Sequence, residues 1–208
     1  MFLLIGVVGS GIMAQRLSPT DVGLQLLQNA MATAGVLVAV ITIFGTISAD
    51  VNPAVTLGAW ALGHRAGREV GPMLVVQVSG GCVGTVVANL MFDLPPIVLS
   101  TTTRSAGHLW LGEAVATVGL LLVVFSLIRT GRSSALPYAV ASYIGAAYYF
   151  TSSTGFANPA VTVARTLSDT FTGIRPSSAP MFIGMQVAGV VIAVVLLRAL
   201  FPSQASTT

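Results

Sequence analysis

Five residues of this chain occur twice: Asn52-Pro53-Ala54-Val55-Thr56 recurs as Asn158-Pro159-Ala160-Val161-Thr162. The surroundings repeat as well. Pro72-Met73 followed by Gln77-Val78 and Gly80 matches Pro180-Met181 followed by Gln186-Val187 and Gly189. The run Leu3-Leu4-Ile5-Gly6-Val7-Val8 resembles Leu120-Leu121-Leu122-Val123-Val124-Phe125. A self-similar chain is read as two copies of one structural unit before any local assignment. The copies are taken as about 1–103 and about 104–208, together forming one domain.

What those copies can fold into depends on their solvent. Hydrophobic residues make up 54% of the chain and charged residues only 7%, against roughly 25% charged in soluble domains. A surface so poor in charge belongs in lipid. A spanning helix needs about 20 mostly apolar residues, and six stretches qualify or nearly so: 1–15, 24–45, 71–92, 108–129, 135–152 and 179–200. The first is short, because the chain begins inside it. No basic segment precedes it, so it does not read as a secretory signal.

Three spans per half is an odd number, so the halves must face opposite ways in the bilayer, and inverted repeats place their shared site near the midplane. Between the second and third span of each half lies a stretch that is apolar yet too short to cross, Asn52 to Leu62 and Asn158 to Leu167. Asn before a helix and Pro at its first position are strong start signals. The expectation is two half-helices entering from opposite sides and meeting N-terminus to N-terminus. Non-helical backbone at membrane depth survives only where protein buries it or where it lines a water-filled cavity. Two such segments in one small bundle argue for a cavity.

These residues resemble the signature of the major intrinsic protein family, the aquaporins and aquaglyceroporins, over nearly the whole chain. The resemblance implies an all-α membrane fold of six tilted helices plus two re-entrant half-helices, with one pore per subunit and usually a homotetramer. It implies a passive channel for small neutral solutes and water (glycerol-like polyols, with urea or uncharged metalloid acids such as arsenite as further candidates) that excludes protons and ions. By resemblance, Asn52 and Asn158 donate amide hydrogen bonds to the permeating molecule, while Pro53 with Ala54 and Pro159 with Ala160 stack where the half-helices touch. Glu113, an acidic residue well inside a span, accepts hydrogen bonds from re-entrant backbone and supports the pore wall. Gln77 and Gln186 are expected to hydrogen-bond between helices.

The filter departs from the family pattern. Most members have arginine directly after the second Asn-Pro-Ala, and here Val161 stands there. Family spacing places the other filter positions at Gly155 and Ala146, and at Thr33 or Ala32 in the second span. The ambiguity arises because Ile47-Ser48-Ala49-Asp50-Val51 is one residue shorter than the usual loop. Small and apolar residues at these places predict a wider, less polar filter than a water-selective one. A bacterial branch is more similar still. Its members carry valine after the second motif and a continuation like Val161-Thr162-Val163-Ala164-Arg165, and some are linked to arsenic resistance. Arg165 itself is expected to satisfy loop carbonyls at the pore mouth, and Asp50, where the family commonly has histidine, to cap a helix. Aligning the repeats places the first-half equivalent of Glu113 before Met1. The first helix therefore reads as N-terminally truncated, and the coding sequence upstream is expected to continue in frame with a glutamate within about one to two helical turns.

Other functions fit the residues less well. The nine basic residues are all arginine and scattered, so no stripe tracks nucleic-acid phosphates. Cys82 is alone and the histidines are His64 and His108 only, which leaves no metal set and implies no cofactor. A secondary transporter would need midplane coupling groups, for which Asp50 and Glu113 are the sole candidates. An intramembrane hydrolase could be drawn from Ser152 or Ser153 with a histidine, but nothing activates such a pair. The arginine count on the two sides is five against four. It tips towards cytoplasmic N- and C-termini in a plasma membrane, mainly through Arg65, Arg68, Arg129 and Arg132 on short connections.

Overall fold

The computed structural model describes residues 1–45, 47 and 50–201. Ser48 and Ala49, on which the loop-length argument turned, lie outside the described residues. The elements run α1 (Phe2–Leu17), α2 (Val22–Phe44), α3 (Pro53–Ala61), α4 (Gly67–Met91), α5 (Gly107–Arg129), α6 (Leu136–Phe150), α7 (Pro159–Ala164) and α8 (Ala179–Leu200). Among the described residues there is no strand. Each apolar stretch has become a helix, and each repeated motif has become the start of a short one.

Four helices are long and apolar enough to cross a bilayer by themselves: α2, α4, α5 and the segment Pro176–Leu200 that contains α8. Helix α6 has 15 residues, but a 3₁₀ turn at Ser133–Ala135 runs straight into it. Together they span about 28 Å, close to the roughly 30 Å of a hydrocarbon core. The 16 residues of α1 give about 24 Å.

The two halves use equivalent contacts. Helix α1 packs on α2 and α4 as α5 packs on α6 and α8, and each half-helix touches both α4 and α8. Burial follows lipid logic. On α8 the residues Val191 and Val195, one turn apart, are 60% and 61% exposed, while Gln186 is fully buried. Apolar side chains face outward and the polar ones turn inward, because lipid gives a polar group no partner.

Small residues let the helices approach. A Cβ added at Gly189 of α8 would come within 2.9 Å of both the Ala114 carbonyl oxygen and Thr117 Cβ on α5. Such close crossings are the usual basis of helix association in membranes. Gly189→Val is expected to destabilise the fold by about 1–3 kcal/mol through overpacking, seen as a lower melting temperature in detergent. An unchanged melting temperature would show that the α5–α8 contact does not limit stability.

Candidate functional site

Helices α3 and α7 begin the same way. Asn52 and Asn158 both hold extended backbone as N-caps, with Pro53 and Pro159 at the first helical position. Asn52 Oδ1 accepts from the Ala54 N–H at 2.8 Å, and Asn158 Oδ1 accepts from Ala160 and Val161 at 3.0 and 3.2 Å. These bonds occupy donors that a helix start otherwise leaves orphaned.

The amide nitrogens do something the motif does not announce. Asn52 Nδ2 donates to the Ala157 carbonyl at 2.7 Å, and Asn158 Nδ2 donates to the Val51 carbonyl at 3.1 Å. Each asparagine thus caps its own half-helix and binds the residue preceding its counterpart. Both line a single cavity of about 270 Å³. A primary amide has two N–H donors, so one remains on each for a molecule in that cavity.

A second matched pair supports the tips. Gln77 of α4 donates to Thr56 Oγ1 at 2.9 Å and to the Asp50 carbonyl. Gln186 of α8 donates to Thr162 Oγ1 at 2.9 Å and to Glu113 at 2.6 Å. The threonines in turn donate to the Asn52 and Asn158 carbonyls at 3.3 and 3.0 Å. Glu113, fully buried, accepts from the N–H groups of Phe156 and Ala157, both at 2.9 Å. These bonds hold an unusual backbone. Thr154, Gly155 and Ala157 all take left-handed φ values, +66°, +56° and +48°, each costly by roughly 1–3 kcal/mol for a residue with a Cβ. At Gly155 a Cβ would also sit 2.7 Å from that of Ala147.

The lumen walls are rows at helical spacing. Thr33, Leu37 and Ile41 come from α2, Leu136, Val140, Ile144 and Tyr148 from α6, and Leu120, Val124 and Ile128 from α5. One mouth carries Asp50, His64 and Arg65; the other carries Thr33, Tyr148, Gly155, Phe156, Val161 and Arg165. Of the expected filter positions, Thr33, Gly155 and Val161 line the lumen, whereas Ala32, the alternative to Thr33, is exposed. Ala146 is a correction. It faces outward and is exposed, because the row of α6 that meets the lumen ends on Tyr148. The i, i+4 spacing of Leu136, Val140, Ile144 and Tyr148 was the signal that could have found it. The Tyr148 hydroxyl lies 3.0 Å from Thr33 Oγ1.

Asp50 is also corrected. Instead of capping a helix, it pairs with Arg65 at 2.7 Å, and Arg65 reaches Glu69 at 3.1 Å. Sequence reasoning missed Phe156 as well. Its ring packs edge-on against Phe182 at 5.4 Å and lies under the guanidinium of Arg165 at 3.6 Å and near that of Arg104 at 5.1 Å. Arg104 donates to the Gly173 and Ser153 carbonyls at 2.9 and 3.3 Å. Burial pushes its pKa below the ordinary arginine value, against the pull of Glu113 and Tyr148.

The sequence profile of the family described as Major intrinsic protein matches residues 1–152. The chain is 45% identical to Aquaglyceroporin AqpS of Rhizobium meliloti (strain 1021), over 94% of this chain and 84% of that protein. It is 32% identical to Probable aquaporin AqpM of Archaeoglobus fulgidus, over 50% of this chain and 45% of that one. Among solved structures, the aquaglyceroporin from Plasmodium falciparum superposes with a TM-score of 0.69, covering 94% of this chain and 90% of its own at 18% identity, a likeness of fold. Paired half-helix tips around one lumen, in a chain that this profile and these relatives match, make the protein a member of the major intrinsic protein family, a membrane channel and not an enzyme.

Proposed function

We propose that the protein is a passive pore for water and glycerol-like polyols, wide enough to pass urea and uncharged metalloid acids such as arsenite, and closed to protons and ions. The observation that carries this reading is the lumen itself. Apolar rows from α1, α2, α5 and α6 surround two asparagine amides, so a solute meets the asparagine donors along a mostly apolar wall, with the other polar side chains gathered at the two mouths. That pattern suits a molecule with hydroxyl oxygens on one side and carbon on the other. The relative from Rhizobium meliloti, matched over 94% of this chain, is called an aquaglyceroporin, which supports the same solute class.

Ion exclusion follows from the half-helices. Helix N-termini carry roughly half a positive charge, and α3 and α7 both start at the asparagine level. A cation there is repelled by both, while a neutral solute is not. The wider solute range rests on Val161, Gly155 and Thr33 at the outer mouth, small residues that share it with the larger Tyr148, Phe156 and Arg165. We further propose that Glu113 supports the pore wall, that the channel is a homotetramer, and that it lies in the plasma membrane with both termini cytoplasmic.

Stopped-flow light scattering on proteoliposomes tests the solute range. Glycerol, urea and arsenious acid should all enter faster than in protein-free vesicles, and retention of all three would sink the reading. Val161→Arg should obstruct the larger solutes at a steric cost of about 1–3 kcal/mol, a ten- to hundredfold loss, with water reduced less. Equal loss of every flux would remove Val161 from the filter.

Glu113→Gln tests the support role. An amide cannot accept from two backbone N–H groups and a glutamine as a carboxylate does. Hydrogen bonds to charged groups contribute about 1.5–3 kcal/mol, so both melting temperature and flux should fall. A variant as stable and as conductive as the original would leave Glu113 without that role.

A further inference from the structure

The outer mouth holds a buried guanidinium, that of Arg165, that solute passage by size alone does not use. Arg165 is 2% exposed and opens the 3₁₀ turn that closes α7. It was expected to spend itself on loop carbonyls, but only Nε does so, donating to the Thr172 carbonyl. Among the described residues neither of its terminal nitrogens finds a protein acceptor, and no carboxylate pairs with Arg165 or Arg104. The carboxylate of Glu113, which lies in this region, is already taken by Phe156, Ala157 and Gln186.

The position of Arg165 explains how it reaches the lumen. It stands one turn beyond Val161, about 6 Å further along the helix axis. Side chains of a helix lean back over the turn that precedes them, which aims this one towards the level of Val161. Phe156, wedged by Phe182, provides the flat surface on which the guanidinium lies at 3.6 Å. The result is a fixed cation in the cavity wall beside Tyr148, Gly155 and Val161, whose terminal nitrogens have no protein acceptor among the described residues.

We propose that Arg165 is the specificity-determining cation of this channel. It supplies charge rejection and hydroxyl-directed hydrogen bonds from one turn beyond the narrow level, so that size selection at Val161 and charge selection at Arg165 are carried by different residues. Phe156 is its positioning residue. This assignment rests on the channel reading above and adds the group that discriminates between cations and neutral hydroxylated solutes.

The test compares wild-type, Arg165→Gln and Arg165→Lys in proteoliposomes. Water and glycerol fluxes are followed by light scattering, and proton leak by an entrapped pH-sensitive dye. Loss of a unit charge some 6 Å from the path, at an effective dielectric constant near 20, should raise the leak of Arg165→Gln by about ten- to a hundredfold. Arg165→Lys keeps the charge but loses the planar fork. It should keep the leak low while shifting the ratio of glycerol to water flux. A conducting Arg165→Gln channel with an unchanged leak overturns the proposal. If Arg165→Gln does not assemble, Arg165→Lys decides: a low leak with an altered flux ratio supports the assignment, and an unaltered ratio overturns it. If neither variant assembles, Arg165 is a loop clamp only and the proposal is overturned. A wild-type protein that passes neither water nor glycerol refutes the channel reading instead, which keeps the two failures apart.

Discussion

The hydrogen bonds from Asn52 to the Ala157 carbonyl and from Asn158 to the Val51 carbonyl make the rest of the structure possible. Half-helices that stop inside a bilayer expose orphaned N–H groups at their starts and broken backbone just before them. Lipid satisfies neither. The reciprocal bonds solve both problems with two side chains, since each oxygen caps its own helix and each nitrogen binds the loop before the other. The arrangement is closed only when both halves are present, which is a physical reason for the doubled motif. It also fixes the level at which both side chains line the lumen, so the fold and the proposed solute contact share the same two residues.

The two halves then diverge where the shared geometry permits. In the second, a buried carboxylate gathers the N–H groups of Phe156 and Ala157 and the amide of Gln186. In the first, Gln77 donates instead to the Asp50 carbonyl, and the Asp50 side chain turns to Arg65 at the mouth. The left-handed backbone at Thr154 and Ala157 lies beside the buried carboxylate. Strain of this kind persists only when surrounding bonds over-determine it, and Ala157 is held at both its N–H and its carbonyl.

How much of this was legible in the sequence depended on whether a feature is local. Capping by Asn52 and Asn158, the start of α3 and α7, and the partnership of Gln77 and Gln186 all follow from residue types at short range and from the repeat. Tyr148 was missed because spacing was counted back from Asn158, whereas the lumen row is set by the phase of α6, and no count through an irregular loop preserves that phase. Thr33 could be told from Ala32 only once α2 had a rotational setting. Phe156 carries no motif at all. Its role depends on Phe182, Arg104 and Arg165, which come together from separate segments of the second half, and such convergence has no signature in one dimension.

Placing valine where the family usually has arginine would seem to surrender charge selection in exchange for width. The geometry suggests otherwise. In a filter whose arginine also sets the diameter, widening the passage removes the charge, and the two properties cannot be adjusted separately. Here the bulk at Val161 and the charge at Arg165 stand a helical turn apart, with the guanidinium lying over the aromatic face of Phe156. On the proposed assignment the lumen can be enlarged by residues such as Gly155 and Thr33 while Arg165 keeps cations from the asparagine level. The arrangement requires that the guanidinium be held flat and without a carboxylate partner, since a paired arginine would present no net field to the passage. Both conditions are met by the same aromatic ring and by a glutamate already committed to the backbone.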